Sequence, residues 1–217
     1  MDNELFSNVD KYIDYLFQLE DEALSSAIKL MDEAQMPQIS VSPVQGKFLQ
    51  VLAKLCNAEN ILEIGTLGGY STIWMARALP DDGKLITIEL EAQHAEIAQK
   101  NIERAKLKEK VEIKIGEALE VLKSIDGTFD MFFLDAHKPS YTKYFEWALK
   151  HSHSGTLIVT DNVIRQGDIL DINSEDENVI GTQHFNDMLA SCKEVSAAII
   201  PTVGIKGYDG IAIAVVN

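Results

Sequence analysis

Phe129-Asp130-Met131-Phe132-Phe133-Leu134-Asp135-Ala136-His137-Lys138 is an apolar run that closes on an acid and, just beyond it, a lysine. Thr156-Leu157-Ile158-Val159-Thr160-Asp161-Asn162 has the same form. Each run reads as a β-strand with a polar cluster at its carboxyl end. In an open parallel sheet, ligands bind in the crevice beyond the carboxyl ends of the strands. Two carboxylates and an amide arriving there from neighbouring strands make an all-oxygen site suited to a hard divalent cation. Lys138 stands where it could act as a base. Taken singly, Asp135 or Asp161 reads equally well as the cap of a following helix. Together with Asn162 and Lys138 they favour a site.

Outward from these runs the chain alternates strand and helix from Asn60 onward. Strands are expected at Asn60–Gly65, Lys84–Glu89, Val111–Ile115, Phe129–Asp135, Thr156–Asp161, Val195–Pro201 and Gly210–Val216. Helical stretches fall near Tyr70–Leu79, Ala92–Ala105, Ala118–Lys123, Ser140–Lys150 and Glu177–Ser191. Alternation of this kind implies an α/β fold with a doubly wound sheet. The Gly-rich segment Gly204–Gly210 is too short for a parallel crossover, so the last strand must run antiparallel. Residues 2–36 read as two helices, with Val9, Ile13, Leu16 and Leu19 at helical spacing, and Ser42-Pro43 opens a third helix over 43–56. Val163–Asp176 is polar, acidic and long enough to be a loop over the site. The expected organisation is one domain over 1–217, with a helical region at 1–56 and a cofactor-binding sheet domain at 57–217.

The 217 residues suffice for one substantial core. Nineteen lysines and arginines against 34 acids give a formal net charge of -15. That balance disfavours binding a polyanion through its phosphates, so nucleic acid is an improbable partner. Cys56 and Cys192 have no metal-like spacing and read as reduced residues of a cytoplasmic protein. The start Met1-Asp2-Asn3-Glu4 lacks a signal-peptide pattern, and no apolar run is long enough to span a membrane.

Glu63-Ile64-Gly65-Thr66-Leu67-Gly68-Gly69-Tyr70-Ser71 joins the first strand to its helix. Glycines there permit a tight turn and close approach of backbone to a ligand. Glu89 ends the second strand, where an acid can accept bonds from two ribose hydroxyls. Gly116-Glu117-Ala118 closes the third strand and suits the edge of an adenine pocket. The turn has neither dinucleotide spacing nor a P-loop ending. A carboxylate at Glu63 would repel a pyrophosphate and suit a cationic amino-acid portion, which favours S-adenosylmethionine over NAD.

Glu-Ile-Gly-Thr-x-Gly-Gly-Tyr-Ser, Ile-Glu, Leu-Asp-Ala-x-Lys and the later Asp-Asn together resemble the cation-dependent O-methyltransferases of catechol and caffeoyl-CoA type, in a bacterial form. The resemblance runs from about Ser40 to the C-terminus. It implies a Rossmann-like seven-stranded sheet with a reversed last strand. It also implies S-adenosylmethionine and a divalent cation (magnesium, alternatively manganese or calcium), with an aromatic vicinal diol as methyl acceptor. Carried over by motif, Asp135, Asp161 and Asn162 would hold the metal and Lys138 would be catalytic. Val41, Glu63, Gly65, Thr66, Ser71, Glu89, Gly116, Glu117, Ala118, Asp135 and Tyr144 would contact the cofactor. His137 stands where plant members carry a second aspartate; it can contact cofactor or substrate, or pack. Gly204–Gly210 is longer than the usual Gly-Asp-Gly turn of such enzymes.

Some bacterial relatives methylate a hydroxylated uridine in transfer RNA, so the same chemistry on RNA is the alternative. A non-catalytic cofactor-binding protein and a nicotinamide dehydrogenase stand further off. Tyr141, Tyr144, Phe145 and Trp147 read mostly as core, His151 and His153 as a solvated loop, and His94 and His184 as surface helix residues. Tyr208 reads as facing the substrate or as part of a turn. Leu5, Phe6, Val9, Ile13, Leu16 and Phe17 form apolar helical surface beyond what the sheet needs, which leads to the expectation of a homodimer.

Overall fold

A computed structural model describes residues 3–217. Asp2, included in the first expected helix, lies outside the described residues. Helices α1 (Asn3–Phe17), α2 (Glu22–Glu33) and α3 (Pro43–Leu55) precede the first strand. Asp21 and Ser42 cap α2 and α3 through their side chains, and Pro43 occupies the first turn of α3. Beyond them come β1 (Asn60–Ile64), α4 (Tyr70–Ala76), β2 (Lys84–Glu89), α5 (Ala92–Arg104), β3 (Val111–Ile115) and α6 (Ala118–Leu122). The second half holds β4 (Met131–Leu134), α7 (Tyr141–Lys150), β5 (Leu157–Asp161), α8 (Glu177–Ser191), β6 (Val195–Gly204) and β7 (Gly207–Val216).

The seven strands form one sheet in the order β3-β2-β1-β4-β5-β7-β6. The first five are parallel, and β7 runs antiparallel to both β5 and β6. Both faces are covered, which is why the central strands read as unbroken apolar runs. Ile61, Met131, Phe133 and Val159 face α2–α5, whereas Leu62, Ile64, Phe132, Leu134 and Ile158 face α7 and α8. Register matters more to function. Ile64 pairs with Ile88 and Leu134, and Leu134 pairs with Thr160. The next residues, Gly65, Glu89, Asp135 and Asp161, therefore lie in one row along the carboxyl edge. The order in which strands are added reverses between β1 and β4, so the crevice of a doubly wound sheet opens there.

Several boundaries depart from expectation, and three departures have clear local reasons. Helix α4 stops at Ala76 rather than Leu79, because Pro80 follows and the last turn tightens into Ala78 N–H to Met75 O and Leu79 N–H to Ala76 O bonds. The last two strands reach further than expected. Their ladder continues to a Gly204–Gly207 pair, leaving Ile205-Lys206 as the turn. Pro201 is tolerated because β6 is the sheet edge. The Asp10 carboxylate accepts the Ile205 N–H at 2.7 Å, and Lys206 Nζ donates to the Gln38 carbonyl at 3.0 Å, so the hairpin tip is tied to the N-terminal region. Within Val163–Asp176, Arg165–Leu170 form 3₁₀ turns rather than open loop.

The His-Ser-His segment lies at the amino end of β5, away from the crevice, but it is not free loop. The His151 ring stacks on Trp147, and His153 Nε2 lies 2.8 Å from Asp130 Oδ1. Cys56 and Cys192 are both unpaired. Among the described residues no helix is long and apolar enough to cross a membrane.

Candidate active site

A cavity of about 760 Å³ opens at the β1/β4 crevice, within the size range of small-molecule sites. One end is the turn after β1. Gly65 has φ +103°, and a Cβ there would lie 2.1 Å from the Asp135 carbonyl oxygen, so no other residue lets β1 and β4 approach this closely. Gly69, at φ +81°, starts α4. Glu89 holds the turn in place. Its Oε2 accepts the Leu67 N–H at 2.7 Å, and its Oε1 accepts the Glu91 N–H at 3.0 Å. His94 Nδ1 lies 3.4 Å from Glu89 Oε1 and lines the cavity, a correction to its reading as surface. Thr66 is fixed by a hydroxyl pair with Thr87 at 2.5 Å.

Val41, Gly65, Thr66, Ser71, Glu89, Gly116, Glu117, Ala118, Asp135, Lys138, Tyr144 and Asn162 all line the cavity. Glu63 does not. It is wholly buried beneath the wall, its two oxygens taken by the hydroxyls of Ser71 and Thr72. Burial pushes its carboxyl up to about 7 despite those bonds. Its position on β1 points it into the packed face under α4, and Ser71, which it accepts from, lines the cavity in its place. Asp161 also sits behind the wall, 4% exposed.

The other end of the cavity is built from the ends of β4 and β5. Lys138 Nζ donates to Asp135 Oδ1 at 2.8 Å, to Asn162 Oδ1 at 3.0 Å and to the Tyr141 hydroxyl at 2.6 Å. Tyr141 in turn donates to the Asp161 carbonyl at 2.9 Å. Burial is the largest single influence and would depress the lysine, but the Asp135 charge, Tyr141 and the hydrogen bonds to both together raise the pKa. Lys138 is thus an ammonium here, not the free amine that a base requires. Asp161 Oδ2 accepts from Gln45 Nε2 at 2.7 Å and its Oδ1 accepts the Asn162 N–H at 2.8 Å. Burial, and then the Asp135 charge, push the Asp161 carboxyl up to about 7. Asn162 takes φ +57° and turns its amide back toward Lys138.

Gln45, Tyr141 in its polar role, and Asp209 were not anticipated. Asp209 Oδ1 accepts three N–H groups, from Ile164, Arg165 and Gly210, and so staples the segment after Asn162 to β7. Tyr208, by contrast, packs against the α7–α8 side and does not line the cavity. His137 faces the cavity, with Nδ1 3.0 Å from Ser140 Oγ.

The O-methyltransferase family model matches residues 16–215. A catechol O-methyltransferase from Niastella koreensis is 56% identical over the full length of both chains. This chain belongs to the O-methyltransferase family. Its fold is shared with the O-methyltransferase of Bacillus cereus solved in complex with SAH, at TM-score 0.97 and 45% identity over 99% of this chain and all of that one. It is equally close to TomG of Streptomyces achromogenes, solved with SAM and involved in tomaymycin synthesis, at TM-score 0.97 and 46% identity over 100% and 99% of the two chains.

For this O-methyltransferase the donor set fits a divalent cation. Among the described residues no cluster of three or more His, Cys, Asp or Glu side chains forms. The candidate set is two carboxylates and one amide, all oxygen. Asp161 is buried with neutral hydrogen-bond donors only, while Asp135 adds a second negative charge beside it. Lys138 answers the Asp135 charge, whereas Asp161 forms no ion pair among the described residues, and a cation is what that carboxylate would accept.

Proposed function

We propose that this O-methyltransferase moves the methyl group of S-adenosylmethionine to one hydroxyl of a vicinal aromatic diol, with a divalent cation held by Asp135, Asp161 and Asn162. The observation that carries the reading is the row of strand-end groups. Glu89 and the Gly-rich turn stand at one end of a single cavity, and Asp135, Asn162 and Lys138 stand at the other. The names of the similar catechol O-methyltransferase and of the SAM- and SAH-bound structures support it.

In this account the turn after β1, Ser71 and Val41 surround the methionine portion. Glu89 receives the ribose hydroxyls, and Gly116, Glu117, Ala118 and Tyr144 enclose the base. A cation held by Asp135, Asp161 and Asn162 would supply stabilisation of negative charge on a diol oxygen, which would bring its ionisation toward neutral pH. Lys138 contributes a fixed positive charge next to the same oxygen. It accepts the proton only once its pair with Asp135 is loosened. Tyr141 and Gln45 hold Lys138 and Asp161 in place, so positioning of the two reactants supplies much of the rate.

Transfer RNA as acceptor fits the site less well, since Glu89, Glu91 and Glu117 rim the cavity of a chain of net charge -15. We place the protein in the cytoplasm as a two-fold homodimer. The support for the dimer is helix α1, where Val9, Tyr12, Tyr15, Leu16 and Phe17 are exposed.

The test is a methyl-transfer screen with magnesium. Catechols, hydroxycinnamates and flavonoids with vicinal hydroxyls are compared with their monohydroxy and 1,3-dihydroxy counterparts and with undermodified transfer RNA. Turnover confined to vicinal diols is expected. Equal turnover of monophenols would overturn the reading.

A further inference from the structure

Besides Lys138, Arg165 is the one lysine or arginine among the described residues that lines the cavity. The Lys138 ammonium is committed to Asp135, Asn162 and Tyr141. Arg165 is not committed. Its Nε is sealed from solvent without an acceptor, and its guanidinium forms no ion pair among the described residues. Asp176, whose carboxyl feels the Arg165 charge, spends an oxygen capping α8, accepting the Asn178 N–H at 2.7 Å. Arg165 as a whole is half-buried, and a guanidinium N–H sealed from solvent without an acceptor is costly, so this side chain has donor capacity left for a partner.

The backbone is arranged to produce this placement. Arg165, Gln166 and Gly167 take φ values of +54°, +57° and +101° in succession. Two of them are not glycine, and such residues persist in the left-handed region only where the surroundings over-determine them. Here the surroundings are the Asp209 carboxylate, which accepts the Arg165 N–H at 2.9 Å and the Ile164 N–H at 3.0 Å. Arg165 follows β5, two strands from the Gly-rich turn after β1, so it belongs to the acceptor end of the cavity. An anion entering a cavity that also presents Glu89, Glu91, Glu117 and Asp135 is repelled unless a cation answers it. A guanidinium is the planar donor pair that matches a carboxylate.

We propose that Arg165 binds a carboxylate carried by the acceptor ring, so that the substrate class is catechol carboxylates such as dihydroxybenzoates and dihydroxycinnamates. This rests on the vicinal-diol reading above. The experiment compares 3,4-dihydroxybenzoate with its neutral methyl ester in the wild type, Arg165→Met and Arg165→Lys, all loaded with magnesium. S-adenosylmethionine affinity is measured in parallel by calorimetry. Arg165→Met should lower kcat/KM for the acid about 10- to 100-fold, mainly through KM, and leave the ester within about threefold. Arg165→Lys should recover part of the loss, and cofactor affinity should stay unchanged in both variants. Equal losses on acid and ester, or no loss on either, would overturn the assignment and leave the vicinal-diol reading standing. Weakened S-adenosylmethionine binding with an unchanged acid-to-ester ratio would instead assign Arg165 to the cofactor carboxylate. A wild type that methylates neither compound would remove the diol reading and this inference with it.

Discussion

Asp161→Asn separates two demands placed on one side chain. The carboxyl is 4% exposed, and burial together with the Asp135 charge pushes it from 3.8 up to about 7. An acid with a higher pKa folded than unfolded keeps its proton longer in the native state. Stability therefore falls as pH rises from about 4 to about 7, and the full penalty is present above that range. Roughly three units at about 1.36 kcal/mol each set a ceiling near 4 kcal/mol. The native state can relax around a buried charge, so a smaller gain of about 1–3 kcal/mol is expected from removing it. The amide is otherwise well received. Its oxygen keeps the Asn162 N–H, and Gln45 can turn over to offer its own oxygen to the new NH₂. In excess chelator at pH 8 the variant should melt higher than the wild type by about 2–4 °C per kcal/mol, and the difference should shrink at pH 5.5. With magnesium the order should reverse, because only the wild type gains the binding contribution of the ion. Differential scanning calorimetry at the two pH values, with and without magnesium, reads all four states. A variant less stable than the wild type in chelator at pH 8 would refute the reasoning about the buried charge.

Lys138→Ala should lower kcat by about 10²- to 10⁴-fold while S-adenosylmethionine binding is largely kept, because the lysine touches the acceptor end of the cavity; single-turnover kinetics and calorimetry check this, and a loss below about threefold would leave Lys138 without a catalytic role. Glu89→Ala removes the acceptor of the Leu67 and Glu91 N–H groups as well as the ribose contact, so cofactor affinity should fall by about 1.5–3 kcal/mol for each charge-assisted bond lost. Unchanged affinity in a calorimetric titration would overturn that role. Light scattering should show a dimer at micromolar concentration, and Tyr12→Glu with Leu16→Glu on the exposed face of α1 should give a monomer. A wild-type monomer, or a dimer indifferent to both substitutions, would remove α1 from any interface.

The strand-end acids were legible because each closes an apolar run, and parallel register then forces such residues into one row. Asp135, Glu89 and Asn162 needed nothing more. Partnerships across long sequence separations left no local mark. Gln45 meets Asp161 across 116 positions, and Asp209 meets Arg165 across 44. A glutamine in a first helical turn and an aspartate before a glycine look ordinary where they stand. Glu63 was legible as an acid at the right strand end. Its burial behind Ser71 depends on how α4 packs, which strand periodicity does not convey. The hairpin was misjudged at Gly204–Gly210 because glycines usually mark loops, whereas here they lie within an edge ladder tied down by Asp10.

Asp135, Asp161 and Asn162 should together hold a cation that methyl transfer requires. The direct measurement is transfer from labelled S-adenosylmethionine to 3,4-dihydroxybenzaldehyde by enzyme stripped with chelator, followed through a magnesium titration. Transfer should be lost in chelator, return saturably with magnesium in the wild type, and stay absent in Asp161→Ala despite normal cofactor binding. Full transfer in excess chelator, or a titration that Asp161→Ala reproduces, would contradict it.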